Sequence, residues 1–291
     1  MSQPALSRSI QSLEKTLGSE LFDRSSPNLE PTPIGQMLIR HGRRMLAAMA
    51  ELQSELNELR GQDSSRLSIA CGHYPAELTI PGALSELMQV RPQANVNMEV
   101  ADWSRIAALL QKGICDLAIT ELVAADHSSG LACELLNDRE LYLVVRKAHP
   151  LLGLDKPGLE EVLAFPWIGS RIPSRVARAF GPGPFAAGEM DPDSGNFIPR
   201  VIAASLSTAF KLVIENDIVG IAPITLAWPY VRRGELCLVP FRAPWLHLNY
   251  GFMWQAQRPL TTVTRAFMKL VRAAESRVAA EEQAIRASLR V

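Results

Sequence analysis

The chain is short of several things, and each shortage removes a class of answer. Four cysteines, Cys71, Cys115, Cys133 and Cys237, are scattered over 291 residues, with no C-x-x-C pair and no histidine at zinc spacing. A disulfide framework and a zinc module are therefore not expected, and reduced, buried thiols of a cytoplasmic protein are. No apolar run reaches the roughly 20 residues that span a bilayer, and Met1 is not followed by a basic and then hydrophobic leader. Neither sign of charge is in excess, since thirty Lys and Arg balance thirty Asp and Glu. Any nucleic-acid contact must then rest on placement rather than on a broad basic field. Residues 1–44 show only a slight excess, Arg8, Lys15, Arg24, Arg40, Arg43 and Arg44 against Glu14, Glu20, Asp23 and Glu30. No G-x-S-x-G, H-E-x-x-H, G-x-x-x-x-G-K-[ST] or G-x-G-x-x-G motif stands in its required context, which argues against an enzyme. No metal or cofactor is expected.

What is present begins with SQPALSRSIQSLEKTLG, residues 2–18. Leu6, Ile10, Leu13 and Leu17 are spaced four, three and four, which is one stripe of an amphipathic helix. Ser2 suits the cap, Pro4 the first turn and Gly18 a left-handed stop. The opposite face carries Gln3, Ser7, Arg8, Gln11 and Ser12. Short polar groups with one cation at a helix N-terminus suit base edges and phosphates, whereas a plain solvated face usually carries more Glu and Lys.

After Gly18, the turn Ser25-Ser26-Pro27-Asn28 lies between short segments able to pair as a hairpin, with Arg24 at its edge. Thr32 and Pro33 then cap and open a new helix. From Pro33 to Arg60, Leu38, Met45, Met49, Leu52, Leu56 and Leu59 follow a seven-residue repeat, with Gly42 at the one skipped position. That is the seam of a coiled coil, a rod of roughly 40 Å that needs a partner, most simply a second copy of itself. Gly61 ends it, and residues 62–65 read as a hinge.

The stretch SQPALSRSIQSLEKTLGSELFDRSSPNLEPTPIG resembles the recognition helix, wing and linker-helix start of LysR-type transcriptional regulators. The resemblance continues through ICDLAIT, ELYLVVRKAHPL and ENDIVGIAPITLA, and so covers essentially the whole chain. It implies that Ser2, Gln3, Pro4, Ala5, Ser7 and Arg8 lie at or near the major groove, with Arg24 and Thr32 facing the DNA backbone. It also implies two short helices ahead of this motif, so Met1 is expected to mark a truncated or mis-started reading of a longer coding sequence. An in-frame helical segment upstream would show this.

Beyond the hinge, strands alternate with helices. Arg66–Cys71, Asn95–Val100 and Cys115–Thr120 read as strands, with a helical run to Gln89 and a helix at Trp103–Lys112 between them. The strand Leu141–Arg146 leads to a second series: Pro166–Ser170, a helix near Pro173–Phe180, Pro199–Ala203, a helix Ser205–Asn216, Ile218–Ala222 and Leu236–Val239. Strand Leu248–Gln255 and a long helix from Thr261 close the chain, and residues 181–195 read as a surface loop. The class is α/β, with ligands expected beyond the carboxyl ends of the strands. The resemblance implies two periplasmic-binding-protein-like subdomains with a co-inducer between them. By match to the family's cleft it designates His73, Tyr74, Thr120, Glu121, Ser170, Arg171, Ser205 and Pro223. Helix starts near Pro75 and Ser205 favour a small carboxylate.

The expected layout is a partial winged helix-turn-helix over residues 1–32, a dimerisation helix over 33–61 and an effector domain over 62–291. The last would have subdomains at about 66–140 with 247–291, and about 147–240. Expected partners are promoter DNA, a small-molecule effector, a second copy as dimer or tetramer, and RNA polymerase as a further candidate, but no membrane. The rival readings are a solute-binding protein without DNA binding and a thiol sensor at Cys71.

Overall fold

The computed structural model of the protein describes residues 3–23, 30–59, 66–122 and 130–289. Ser2, Arg24, the 25–28 turn, Gly61 and the 62–65 hinge lie outside the described residues. The chain divides into two compact units, Met1–Gln62 and Asp63–Val291.

In the first unit α1 spans Gln3–Leu17, and the expected hairpin forms from β1 (Phe22–Asp23) and β2 (Glu30–Pro31), paired antiparallel. The long helix α2 runs Pro33–Leu59. Gly18 takes the left-handed conformation, φ 63°, that the stop required. The backbone N–H of Leu21 then donates to Glu14 Oε1 at 2.9 Å, which ties the turn to α1. Leu21 is buried, whereas Leu6, Leu13 and Leu17 of the α1 stripe stay 48%, 41% and 45% exposed. A methyl on Gly35 would stand 2.1 Å from the Leu21 carbonyl oxygen, so glycine is required where α2 passes the turn.

The second unit opens with β3 (Arg66–Cys71), α3 (His73–Leu78), α4 (Ile80–Val90), β4 (Asn95–Val100), α5 (Trp103–Gln111) and β5 (Leu117–Glu121). Parallel pairing of β3 with β4 and β5 makes lobe one. Every residue of β3 after Arg66 is buried, as expected of a parallel strand covered on both faces. The 16-residue strand β6 (Leu131–Arg146) then crosses out of this lobe. Lobe two follows with α6 (Leu159–Leu163), β7 (Trp167–Gly169), α7 (Ser174–Ala177), β8 (Gly188–Met190), β9 (Phe197–Pro199) and β10 (Val201–Ile202). It is completed by α8 (Leu206–Glu215), β11 (Val219–Pro223), α9 (Ile224–Arg232) and β12 (Leu236–Leu238). Then β13 (His247–Gln255) returns to lobe one, and α10 (Thr262–Leu289) ends the unit.

Among the described residues the main sheet runs β10-β7-β11-β6-β13-β5-β3-β4, with β12 beside β6. Both lobes thus share one hydrogen-bonded path, joined where β6 leaves β13 for β11. Trp167, Phe180 and Phe197 pack edge to face at the centre of lobe two, with centroids 5.0–6.0 Å apart.

Two expectations need correction, and one element was not foreseen. The strand expected at Leu141–Arg146 begins ten residues earlier, at Leu131. Its first part, LACELLNDRE, carries four charged residues that mask the strand pattern, yet Arg139 is buried there. Its guanidinium meets Glu275 Oε2 at 2.9 Å and Glu282 Oε2 at 2.5 Å. The loop read over residues 181–195 contains β8, paired antiparallel with β9. Helix α9 lies in a stretch for which no element was expected; Pro229 stands inside it, and its missing N–H removes one ladder bond without ending the helix.

The register of β13 shifts between Tyr250 and Gly251, where a methyl on Gly251 would stand 2.1 Å from the Glu134 carbonyl oxygen. Gly251→Ala is expected to cost about 1–3 kcal/mol and lower the melting temperature by several degrees. Thermal unfolding followed by circular dichroism checks it, and an unchanged midpoint would contradict this register.

Candidate functional site

In the first unit, Ser7 and Arg8 are exposed on the N-terminal half of α1. For Gln3, Pro4 and Ala5 only the backbone placement, in the first turn of α1, is described. Thr32 is half-buried and works for the fold: its hydroxyl donates to the Glu20 carbonyl at 2.8 Å and accepts from Gly35 N–H at 3.0 Å, capping α2. Along α2, Leu38 is half-buried, whereas Met45, Met49, Leu52 and Leu56 are 69%, 68%, 57% and 36% exposed. Leu59 stands at the last position of the helix.

In the second unit the cleft between the lobes holds two adjoining cavities that share Tyr74, Gly169, Ser170 and Ile221. The first adds His73, Leu206 and Phe210. The second adds Glu121, Arg171, Val176, Trp245 and His247. Five of the eight designated residues therefore line them: His73, Tyr74, Glu121, Ser170 and Arg171. The other three do not. Thr120 is buried beside Gly72, Ser205 caps α8 by accepting from Thr208 N–H at 3.4 Å, and Pro223 is buried at the start of α9. The cap still matters, because the next residue, Leu206, lines the first cavity and brings the α8 N-terminus to it.

Four polar contacts tie the lobes across the cleft at three places. The Tyr74 hydroxyl donates to the Ile221 carbonyl at 2.7 Å. Trp103 Nε1–H donates to the Arg171 carbonyl at 2.7 Å, and the Arg171 N–H donates to Asp102 Oδ2 at 3.3 Å. Arg175 on α7 forms an ion pair with Glu121 at the end of β5. Sequence reading missed Arg175, Asp102 and Trp103. The available signal was a cation in the short helix α7, which follows strand β7.

The cavity walls are mostly apolar, and His73 Nδ1 of the first cavity is buried without a hydrogen-bond partner, as is the Thr120 hydroxyl beside Gly72. Burial pushes the Glu121 carboxyl up to about 7; Arg175 opposes the rise and Asp102 adds to it. The thiol reading loses support, because burial raises both Cys71 and Cys115 to about 12, far from thiolate at neutral pH.

Comparison with known proteins gives this geometry its class. Residues 60–276 match the family model of the LysR substrate binding domain, and residues 1–36 match that of the bacterial regulatory helix-turn-helix protein, lysR family. The chain is 32% identical over 282 residues to the HTH-type transcriptional regulator GbpR of Azospirillum brasilense, covering 94% of this chain and 79% of the relative. It is 28% identical over 277 residues to the SDS degradation transcriptional activation protein of a Pseudomonas species, covering 93% and 87%. Full-length LysG from Corynebacterium glutamicum, solved with bound effector Arg, superposes with a TM-score of 0.61 at 18% identity, covering 95% and 90%. The chain belongs to the LysR family of transcriptional regulators. These are non-enzymatic DNA-binding proteins with an effector-binding domain, which sets aside the solute-binding reading.

The Glu121 carboxyl generates a signed pH effect. Its folded pKa lies above the ordinary 4.5, so the folded state holds the proton more tightly. The stability it confers is complete below 4.5 and lost as pH rises through about 7. The melting-temperature gap between wild type and Glu121→Gln should therefore change between pH 5 and 8, wild type losing ground as pH rises. A constant gap would contradict the burial of this group.

Proposed function

We propose that the chain reads promoter DNA with the N-terminal half of α1 and senses a small organic anion taken up between the two lobes of the second unit. The observation that carries the sensing half is a cleft whose cavities draw their walls from both lobes and whose rim is tied directly across by Tyr74, Trp103 and Glu121. A molecule that changes those ties changes the angle between the lobes. The anion reading rests on Arg171 and Arg175 at the cleft and on the α8 N-terminus at the first cavity. An effector carboxylate pairing with Arg175 would release Glu121, whose raised pKa lets it take up a proton instead of standing unpaired. Bound Arg in LysG is a carboxylate-bearing effector on the same fold.

DNA contact is assigned by motif to Ser2, Gln3, Pro4, Ala5, Ser7, Arg8 and Arg24, with Thr32 acting mainly as a cap. Residues 33–61 serve as the dimerisation helix. The support is the exposed seam of Met45, Met49, Leu52 and Leu56, which a second copy would cover. Residues 62–291 form the sensor, with lobes at about 66–140 with 247–291 and about 147–240, in keeping with the two compact units. The cytoplasm, where promoters are, is the proposed location, and among the described residues no helix is long and apolar enough to cross a membrane. No described surface singles out RNA polymerase.

Two substitutions test the layout. Arg8→Gln should weaken operator binding about five- to a hundredfold, as loss of one base or phosphate contact does, and leave effector-induced thermal shifts intact. Equal loss of both responses would contradict the division of labour. Leu52→Lys should place charges in the seam and lower the mass measured by sedimentation; an unchanged mass would count against α2 as the dimer contact.

A further inference from the structure

The match to the substrate-binding-domain family stops at residue 276, yet α10 continues without a break to Leu289. An added stretch of helix is ordinarily a solvated tail. This one is not, because Glu282 and Ile285 are 7% and 5% exposed. Glu282 stands seven residues after Glu275, two helical turns on, so both carboxylates lie on one face of α10. Between them is Arg139 of β6, with a fully buried side chain, hydrogen-bonded to Glu275 at 2.9 Å and ion-paired with Glu282 at 2.5 Å. Ile285 packs with Tyr142 and with Ile224 of α9, in lobe two. Earlier turns of α10 pack along α4 of lobe one, where Arg277 meets Glu86 at 2.5 Å.

The crossing point itself is tied to the same stretch. Glu140, next to Arg139, accepts from the Tyr142 hydroxyl at 2.9 Å and pairs with Arg242 at 3.0 Å and with Arg286 of α10 at 3.4 Å. Arg242 lies on the segment that returns from lobe two to β13, and its guanidinium sits 4.2 Å from the centre of the Tyr142 ring. Both passages of the chain between the lobes are therefore held to the end of α10. Buried charge pairs have narrow geometric tolerance, unlike apolar contacts, which slide.

We propose that residues 277–289 form a brace across the two lobes, setting the angle at which β6 and its return segment cross. The brace grips lobe one through α4, the crossing strands through Arg139 and Glu140, and lobe two through Ile285 against α9. Lobe rotation must then break or carry these contacts, so the end of α10 sets how far the cleft yields. This inference rests on the fold of the second unit alone, and it stands or falls separately from the effector and promoter assignments.

The test compares the whole chain with a chain stopped after Ala280 and with a full-length Glu282→Gln/Ile285→Ala variant. Spin labels on non-natural residues at exposed Lys112 in lobe one and Lys211 in lobe two report the distance between lobes, with labelled protein diluted into excess unlabelled protein to remove signals between copies. The brace predicts a shifted or broadened distance distribution in both altered chains. It also predicts amide exchange about tenfold faster along β6 and β13 around residues 139–143 and 247–250, while β3 and β4 exchange as before. Should the shortened chain fail to fold, the double variant decides. An unchanged distance distribution overturns the brace. So does equal acceleration at every amide, which would make the end of α10 only a general contributor to stability.

Discussion

Two antiparallel strands carry the load of the sensor unit. Nine of the first ten residues of β6 pair with β13 inside lobe one, Leu136 being skipped at the register shift, and its last six pair with β11 and β12 inside lobe two. The lobes are therefore not beads on a linker, because a single hydrogen-bonded path runs through both. Any change of angle between them concentrates at residues 139–142, where one strand stops facing β13 and starts facing β11. Buried charge sits at that point. Removing one partner of such a pair costs about 3–5 kcal/mol, so the crossing angle is strongly specified.

The cleft has the opposite character. Its walls are mostly apolar, and its specific contacts cross from lobe to lobe, each tie taking one partner from each. Glu121 is caught between burial and Arg175, and its raised pKa reflects that conflict. A stiff hinge beneath a rim held by a few exchangeable polar bonds suits a sensor: small chemical changes at the rim are referred to one axis.

Much of this was legible in the sequence, for physical reasons that can be named. The helix α2 was visible from its seven-residue apolar repeat, and the lobe order because buried parallel strands read as apolar runs. His73 and Tyr74 were visible because they follow a strand at the carboxyl edge of the sheet, whereas Ser170 came from the family resemblance alone; all three line the cavities. Ser205 and Pro223 stand at similar positions but serve as a helix cap and a helix start, which strand position alone does not distinguish. The early part of β6 was hidden, because Arg139 and its neighbours look like a solvated face until Glu275 and Glu282, more than 130 residues away in sequence, supply the countercharge. Arg175 was hidden in the same way, since its partner Glu121 lies in the other lobe.

The central claim is that a small anion bridges the lobes inside the cleft. The most direct measurement is a thermal-shift screen of the whole chain with organic acids, each paired with its own amide, repeated on Ser170→Leu, which fills the space both cavities share. The account predicts that an acid, and not its amide, raises the melting temperature of the wild type, by about 2.7 kcal/mol of stabilisation at a hundredfold excess over Kd. The filled chain should not respond. An amide as effective as its acid, or a shift retained by Ser170→Leu, would contradict it.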